Sequence, residues 1–193
     1  MINNNNFIGK VIIFSAPSGA GKTTIVQNLL KSNIPLSFSV SACSRPKRKE
    51  EINGKDYHFL TKEEFNIKIK ENAFVEWEQV YESQFYGTLK SEIKRIWKQH
   101  HHVVFDVDVL GGVSLKKHFG DNAISIFIEP PSMEILFKRL KNRQTENAKS
   151  LAKRIEKADK EMEFKDKFDI VVTNDDLSIT LKEIKTIVHE FIK

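Results

Sequence analysis

Cysteine is almost missing from this chain: Cys43 is the only one among 193 residues, which excludes an intramolecular disulfide and any zinc cage built from several thiolates. No apolar run approaches the roughly 18 residues that a membrane-spanning helix needs. The stretch from Met1 to Asn6 has neither a basic region nor an apolar core, so it does not read as a secretory leader and a cytoplasmic location is expected. Charge of one sign is not concentrated either. The net charge is +5, but acidic residues are interspersed with the basic ones except in two clusters, and the first of these lacks the interleaved aromatics of a nucleic-acid surface. Neither a nucleic-acid nor a membrane partner is expected. The guanine-reading tetrapeptide N-K-x-D of GTP hydrolases is absent as well. What remains, with 40% hydrophobic and 30% charged residues, is the composition of a soluble globular protein with ample chain for a core.

The most informative stretch that is present runs from Val11 to Thr24. Val11-Ile12-Ile13-Phe14 is a short, largely β-branched apolar run suited to a buried parallel strand, and Ile25, Leu29 and Leu30 begin a helical stripe shortly after it. Between them lies Ala16-Pro17-Ser18-Gly19-Ala20-Gly21-Lys22-Thr23-Thr24. In a strand–loop–helix of this kind Gly19 and Gly21 let backbone N–H groups converge on a phosphate. Lys22 reaches its outer oxygens, the Thr23 hydroxyl is placed to ligate Mg²⁺, and the helix N-terminus adds partial positive charge. The usual pattern opens on glycine where this chain has Ala16. Either the backbone there stays in an ordinary region or it carries strain.

Further on, residues 36–41 alternate apolar residues with serine and are expected to form a half-buried strand. It leads into the basic run Ser44-Arg45-Pro46-Lys47-Arg48-Lys49 and an Asn53-Gly54 turn. Taken alone this run is a solvated charged loop or an anion site. Thr61-Lys62-Glu63-Glu64 has the capping-box spacing that opens a helix through Phe65, Ile67 and Ile69, with Asn72 as its stop. Two strand-like segments, 74–80 and 84–86, flank a turn at Glu82-Ser83. A basic helix from Lys90 presents Ile93, Ile96 and Trp97 inward. Three adjacent histidines, His100 to His102, cannot converge on one ion in a helix or strand, and read as a polar helix end. The apolar run Val103 to Asp108 ends in acids, so Asp106 is placed to assist a magnesium shell through water. A further buried strand spans 123–128. Pro130-Pro131-Ser132 then starts a helix with Ile135, Leu136 and Leu140 inward, and the chain closes with a strand at 169–172 and a helix carrying Leu181, Ile184, Ile187, Val188 and Phe191.

Several of these segments together resemble the guanylate kinase family. They are Phe38-Ser39-Val40-Ser41-Ala42-Cys43-Ser44-Arg45-Pro46-Lys47-Arg48, Gly54-Lys55-Asp56-Tyr57-His58-Phe59, Phe74-Val75-Glu76-Trp77 and Tyr86-Gly87-Thr88, in register with the phosphate loop. The resemblance implies an α/β fold, the three-layer P-loop nucleoside monophosphate kinase fold with a mostly parallel central sheet. It implies a single domain over residues 1–193: a core of about 7–34, 100–137 and 158–193, a GMP-binding region of about 35–99 and a lid of about 138–157. The implied reaction is transfer of the ATP γ-phosphoryl to GMP, with use of dGMP left open, using Mg²⁺, in a monomer or homodimer serving purine nucleotide metabolism.

By the same resemblance Arg45, Arg48, Tyr57 and Tyr86 hold the acceptor phosphate, and Ser41, Glu76, Thr88 and Asp108 recognise guanine. Arg139, Arg143 and Arg154 clamp the ATP phosphates and the transferring group, and Asn174 lies near the base of ATP. Lys22, Arg45, Arg143 and Arg154 are the implied catalytic set. The residue chemistry suits these roles. Arginine forks match phosphate oxygens, and a carboxylate such as Glu76 accepts from the N1–H and N2–H₂ edge that adenine does not present. Departures are Cys43-Ser44 in place of two threonines, Glu50 in place of glycine, Leu110 in place of glutamine at a turn around Gly111, and Asn142 and Gln144 in place of glycines beside Arg143. Two other classes stay in view: a non-catalytic protein-binding relative of guanylate kinase, and a P-loop kinase with another acceptor.

Overall fold

The computed structural model describes residues 7–81, 84–141 and 148–193. In chain order the elements begin with β1 (Val11–Ser15), α1 (Lys22–Leu30), β2 (Leu36–Phe38), β3 (Ala42–Cys43), β4 (His58–Phe59) and α2 (Lys62–Lys70). They continue with β5 (Phe74–Tyr81), β6 (Gln84–Leu89), α3 (Lys90–Lys98), β7 (His102–Asp106), α4 (Val109–Phe119) and β8 (Ala123–Glu129). Helices α5 (Met133–Lys141) and α6 (Ala148–Met162), strand β9 (Ile170–Thr173) and helix α7 (Leu177–Ile192) complete the chain. The described residues form two compact units, one within 7–9 and 35–103, the other within 10–34 and 104–193.

In the second unit β1 is buried at every position and runs parallel to β8, Val11 beside Ala123 and Ser15 beside Phe127. Strand β8 is in turn parallel to β9, from Ile126 opposite Ile170 to Glu129 opposite Thr173. Covering a sheet on both faces requires uninterrupted apolar strands, which is why Val11 to Phe14 and Ile126 to Ile128 do not alternate. Helix α4 packs on β1 and β8, where Val109, Phe127 and Phe168 form one cluster, and α1 lies against α7. The order of the five-stranded sheet is β2-β7-β1-β8-β9, the mostly parallel α/β arrangement expected. Parallel strands share one carboxyl edge. The loop after Ser15, the acid ending β7 and the residue after Thr173 therefore emerge on the same side, where open α/β sheets gather ligands.

The first unit is built on a four-stranded sheet of order β4-β3-β6-β5, with β5–β6 and β3–β6 antiparallel and β3–β4 parallel. Helix α2 covers it. Thr61 Oγ1 accepts from Glu64 N at 3.1 Å while the Glu64 carboxylate accepts from Thr61 N at 2.7 Å, so the capping box read from the sequence is formed. Phe65, fully buried, stacks on Phe74 with centroids 4.4 Å apart within a cluster that includes Ala42 and Leu89. Truncating Phe65→Ala is expected to lower unfolding free energy by about 3–5 kcal/mol. Urea titration of both proteins at equal concentration checks it, and a midpoint that does not move contradicts the packing role.

Three local expectations are corrected. Only residues 36–38 of the segment 36–41 are strand, because Val40 N donates to the buried Glu92 carboxylate at 3.2 Å instead of to a ladder, and the chain joins the other sheet at Ala42. Of the three histidines only His100 is a polar helix end, exposed just past α3 with its N–H donating to Trp97 O at 3.0 Å. His100 leaves α3 with φ of 58°, His101 Nδ1 and Ser37 Oγ share a hydrogen bond at 2.7 Å, and His102 is buried at the start of β7. Gly111 is no turn but lies inside α4, and Asp108 is past the end of β7, as the cap of that helix.

Candidate active site

The loop after β1 has the backbone its sequence requires. Gly19 and Gly21 adopt φ of 97° and 98°, a region that costs a side-chain-bearing residue about 1 kcal/mol or more, and Ala20 N donates to Pro17 O at 3.1 Å. Among the described residues the non-glycines with positive φ are Asn72 and His100, so Ala16 keeps ordinary backbone geometry, and the strained alternative falls away. Ala16 to Gly19, with Gly21 to Thr24, line a cleft of about 310 Å³ whose other walls include Asp106, Asp108 and Glu161. Helix α1 opens directly from Gly21 with no side-chain cap, which leaves its first N–H groups facing that cleft for an anion.

At the mouth of the loop Lys22 Nζ donates to Val107 O at 2.5 Å and pairs with Asp106 Oδ1 at 2.5 Å. The Thr23 hydroxyl donates to Asp106 Oδ2 at 3.3 Å, and Ser15 Oγ to Val107 O at 3.1 Å, tying the end of β1 to the end of β7. A hydroxyl and a carboxylate side by side are hard oxygen donors of the kind Mg²⁺ takes when it keeps several waters and shares a nucleotide's phosphates. No cluster of three or more His, Cys, Asp or Glu suited to holding a metal occurs among the described residues.

In the other unit, Arg45 forks onto Glu51 through two hydrogen bonds, Nη2 to Oε1 at 2.5 Å and Nη1 to Oε2 at 2.7 Å. Its guanidinium lies over the rings of Tyr57 and Phe59, 5.0 and 5.5 Å from their centroids, and Tyr57 meets Tyr86 edge to face at 6.0 Å. The fork holds the Glu51 carboxyl down at about 2 and Arg45 above its usual range, and burial pushes the Tyr57 phenol up. The sheet makes this cluster, since β3 sets Cys43 opposite Tyr86 and β4 sets Phe59 beside Cys43. Arg48 is exposed in side chain, its backbone N donating to Glu51 at 2.8 Å.

Glu76 on β5 faces Thr88 on β6, and the buried Thr88 hydroxyl donates to Glu76 Oε1 at 2.8 Å. Gly87 makes this register possible, because a Cβ there would lie 2.7 Å from the Glu76 carbonyl oxygen. Ser41 uses its carbonyl to accept from His58 N at 2.9 Å. Asp108, by contrast, belongs to the second unit and accepts from Gly111 N at 2.8 Å. Of the departures noted in the sequence, Cys43 is buried and Ser44 has a structural part. Ser44 N donates to Phe85 O at 2.9 Å while its hydroxyl accepts from Phe85 N at 2.8 Å, next to Tyr86. Glu50 is exposed and Leu110 is 48% exposed.

A sequence model described as guanylate kinase matches residues 8–191, nearly the whole chain. The chain belongs to the guanylate kinase family. Guanylate kinases of Porphyromonas gingivalis and Bacteroides thetaiotaomicron are each 48% identical to it over 184 residues, spanning 95% of this chain and 98% and 90% of theirs. The crystal structure of guanylate kinase from Anaplasma phagocytophilum superposes with a TM-score of 0.74 at 26% identity, covering 96% of this chain and 87% of that one.

Of the guanylate kinase residues expected at the lid, Arg143 lies outside the described residues, as do Asn142 and Gln144. Arg154 is half-buried on α6, and Arg139 on α5 directs both Nη atoms to the Asn174 carbonyl at 3.1 Å. Sequence reasoning missed three carboxylates. Glu161, 7% exposed, accepts from Ser18 N at 3.3 Å, and burial pushes its carboxyl up against the pull of Lys157. The available signal was spacing, for Glu161 falls one helical turn after the inward Ala158. Glu92 anchors Val40, beside Ser41, and pairs with Arg95 at 2.6 Å. Glu51 reads as one more loop acid until the chain folds back on Arg45.

A Cβ on Gly21 would sit 2.4 Å from Asn174 Nδ2, in addition to its left-handed φ. Gly21→Ala is therefore expected to cost about 2 kcal/mol or more in stability and to weaken ATP binding. Thermal unfolding with and without ATP measures both, and a variant as stable as the parent argues against the loop geometry.

Proposed function

We propose that the protein transfers the γ-phosphoryl group of ATP to GMP, giving ADP and GDP. The observation that carries this reading, against a non-catalytic relative, is the intact phosphate loop with Lys22 and Thr23 both gathered on Asp106. Lys22 and the loop N–H groups hold the donor's phosphates and neutralise the charge that spreads over the equatorial oxygens in transfer. Thr23 and, through water, Asp106 would hold Mg²⁺, which supplies charge neutralisation across the donor's phosphates when bound.

On the acceptor side Arg45 and Arg48, with the hydroxyls of Tyr57 and Tyr86, aim the monophosphate, and Glu51 yields its fork to it. Ser41, Glu76, Thr88 and Asp108 read the base. Glu76 accepts from N1–H and N2–H₂, so adenine would leave a carboxylate unpaired, and sites built on hydrogen bonds reject such analogues by about 10⁴. Arg139, Arg143 and Arg154 support the donor's phosphates, and positioning replaces covalent catalysis throughout. Among the described residues no helix is long and apolar enough to cross a membrane, and the cytoplasm is the proposed setting, in purine nucleotide metabolism.

The test is ADP release from ATP and Mg²⁺ with GMP, dGMP, AMP, CMP, UMP or no acceptor in parallel. Strong dependence on GMP supports the reading. Release without an acceptor indicates a hydrolase, and silence with every acceptor indicates a binding module.

A further inference from the structure

Asn174 follows β9 and is 5% exposed, yet its side chain does not point into open solvent or an apolar core. Its Nδ2 donates to the carbonyl of Ala20 at 2.7 Å, inside the phosphate loop and 154 residues away in sequence. Its own backbone is fixed at both ends: the N–H donates to Glu129 O at 2.8 Å, and the carbonyl accepts both Arg139 Nη atoms at 3.1 Å. We propose that Asn174 is a positioning residue for the phosphate loop, holding the Ala20–Gly21 peptide in the orientation that binds phosphate.

The reason lies in one peptide plane. Across a trans peptide the C=O of one residue and the N–H of the next point in opposite directions, so an Ala20 carbonyl turned to Asn174 turns Gly21 N–H away from it. Gly21 lines the cleft. Were the plane to rotate by half a turn, a carbonyl lone pair would face the anion in place of a donor. The plane turns on ψ of Ala20 and φ of Gly21, and Gly21, with φ of 98°, opposes the turn little because glycine accepts either sign of φ at little cost. A buried amide donor supplies the missing constraint. It also accounts for glycine at position 21, where a Cβ would lie 2.4 Å from Nδ2.

The inference rests on the reading that this loop holds the donor's phosphates, and its test separates the two. Asn174→Asp keeps size and shape but replaces the donor with an oxygen, and Asn174→Ala removes the group. Calorimetric titration of each variant with inorganic tripolyphosphate, ADP and GMP, in Mg²⁺ buffer, is the measurement. Both variants are expected to weaken tripolyphosphate and ADP by the same factor, about tenfold or more, with GMP affinity unchanged as the sign of an intact fold. A residue that reads the base would weaken ADP and leave tripolyphosphate untouched, which overturns the proposal. Parental affinity for both ligands in Asn174→Asp overturns it equally. Should Asn174→Ala unfold, Asn174→Asp alone decides. Because tripolyphosphate needs no acceptor, parental protein that binds it but turns over no GMP would refute the kinase reading and leave this one standing.

Discussion

Lys22→Ala is expected to reduce kcat by about 10³, with GMP affinity within a factor of about three. The side chain that disappears carries the positive charge nearest the mouth of the loop, held by Asp106 and the Val107 carbonyl at 2.5 Å each. Its neutralising effect is largest where negative charge moves between donor and acceptor, so the loss falls on turnover rather than on the acceptor complex. Removing it also leaves Asp106, which is largely shielded, without its cation, and a bare carboxylate there repels the donor's phosphates. Steady-state ADP release at saturating GMP and equilibrium GMP titration give the two quantities. Turnover within tenfold of the parent would take Lys22 out of the transfer step.

Glu76→Gln tests the acceptor base in the same way. Glutamine fills the same space and its carbonyl still accepts from the buried Thr88 hydroxyl, so β5 and β6 keep their pairing. What changes is the edge offered to the base, where an N–H₂ replaces one carboxylate oxygen and meets the donors of guanine head on. The kcat/KM for GMP should fall by about 10² to 10³ while the low activity with AMP stays put or rises slightly. Selectivity measured with the two nucleotides in competition is the readout. An unchanged preference for GMP would move base recognition elsewhere in the site.

The donor-loop residues and the proposed acceptor residues were not equally legible in the chain. The donor loop is contiguous, and its chemistry follows from local spacing: glycines where φ must be positive, a lysine and a hydroxyl at the first turn of a helix, a strand in front. Gly19 and Gly21 take the positive φ that their positions called for, and of the two alternatives left open at Ala16 the structure has the ordinary backbone. The acceptor residues lie on separate strands, and taken singly Tyr57, Glu76 and Tyr86 read equally well as packing or surface residues. Family resemblance singled them out, and the sheet then brought Arg45, Tyr57 and Tyr86 into one cluster and set Glu76 opposite Thr88. Two of the misreadings share a cause. Residues 36–41 alternate like a strand, but Glu92, distant in sequence, takes the Val40 N–H, and His102 is drawn into the core by β7. A local period does not report where a remote carboxylate lands.

By itself the sequence determined what is local or periodic: the phosphate loop and its helix, the buried parallel strands, the capping box at Thr61, the helix stop at Asn72, and the exclusion of intramolecular disulfides and thiolate metal cages. These depend on neighbours within about one helical turn or strand, where sterics and hydrogen-bond geometry leave few choices. Only the tertiary structure decided the pairings between distant residues. Glu51 takes the Arg45 fork, Glu161 takes Ser18 N–H, and Asn174 with Arg139 behind it holds the loop peptide. Each joins a buried polar group to the partner that removes its desolvation cost, and which partner arrives is settled by the packing of whole elements, not by the residues on either side.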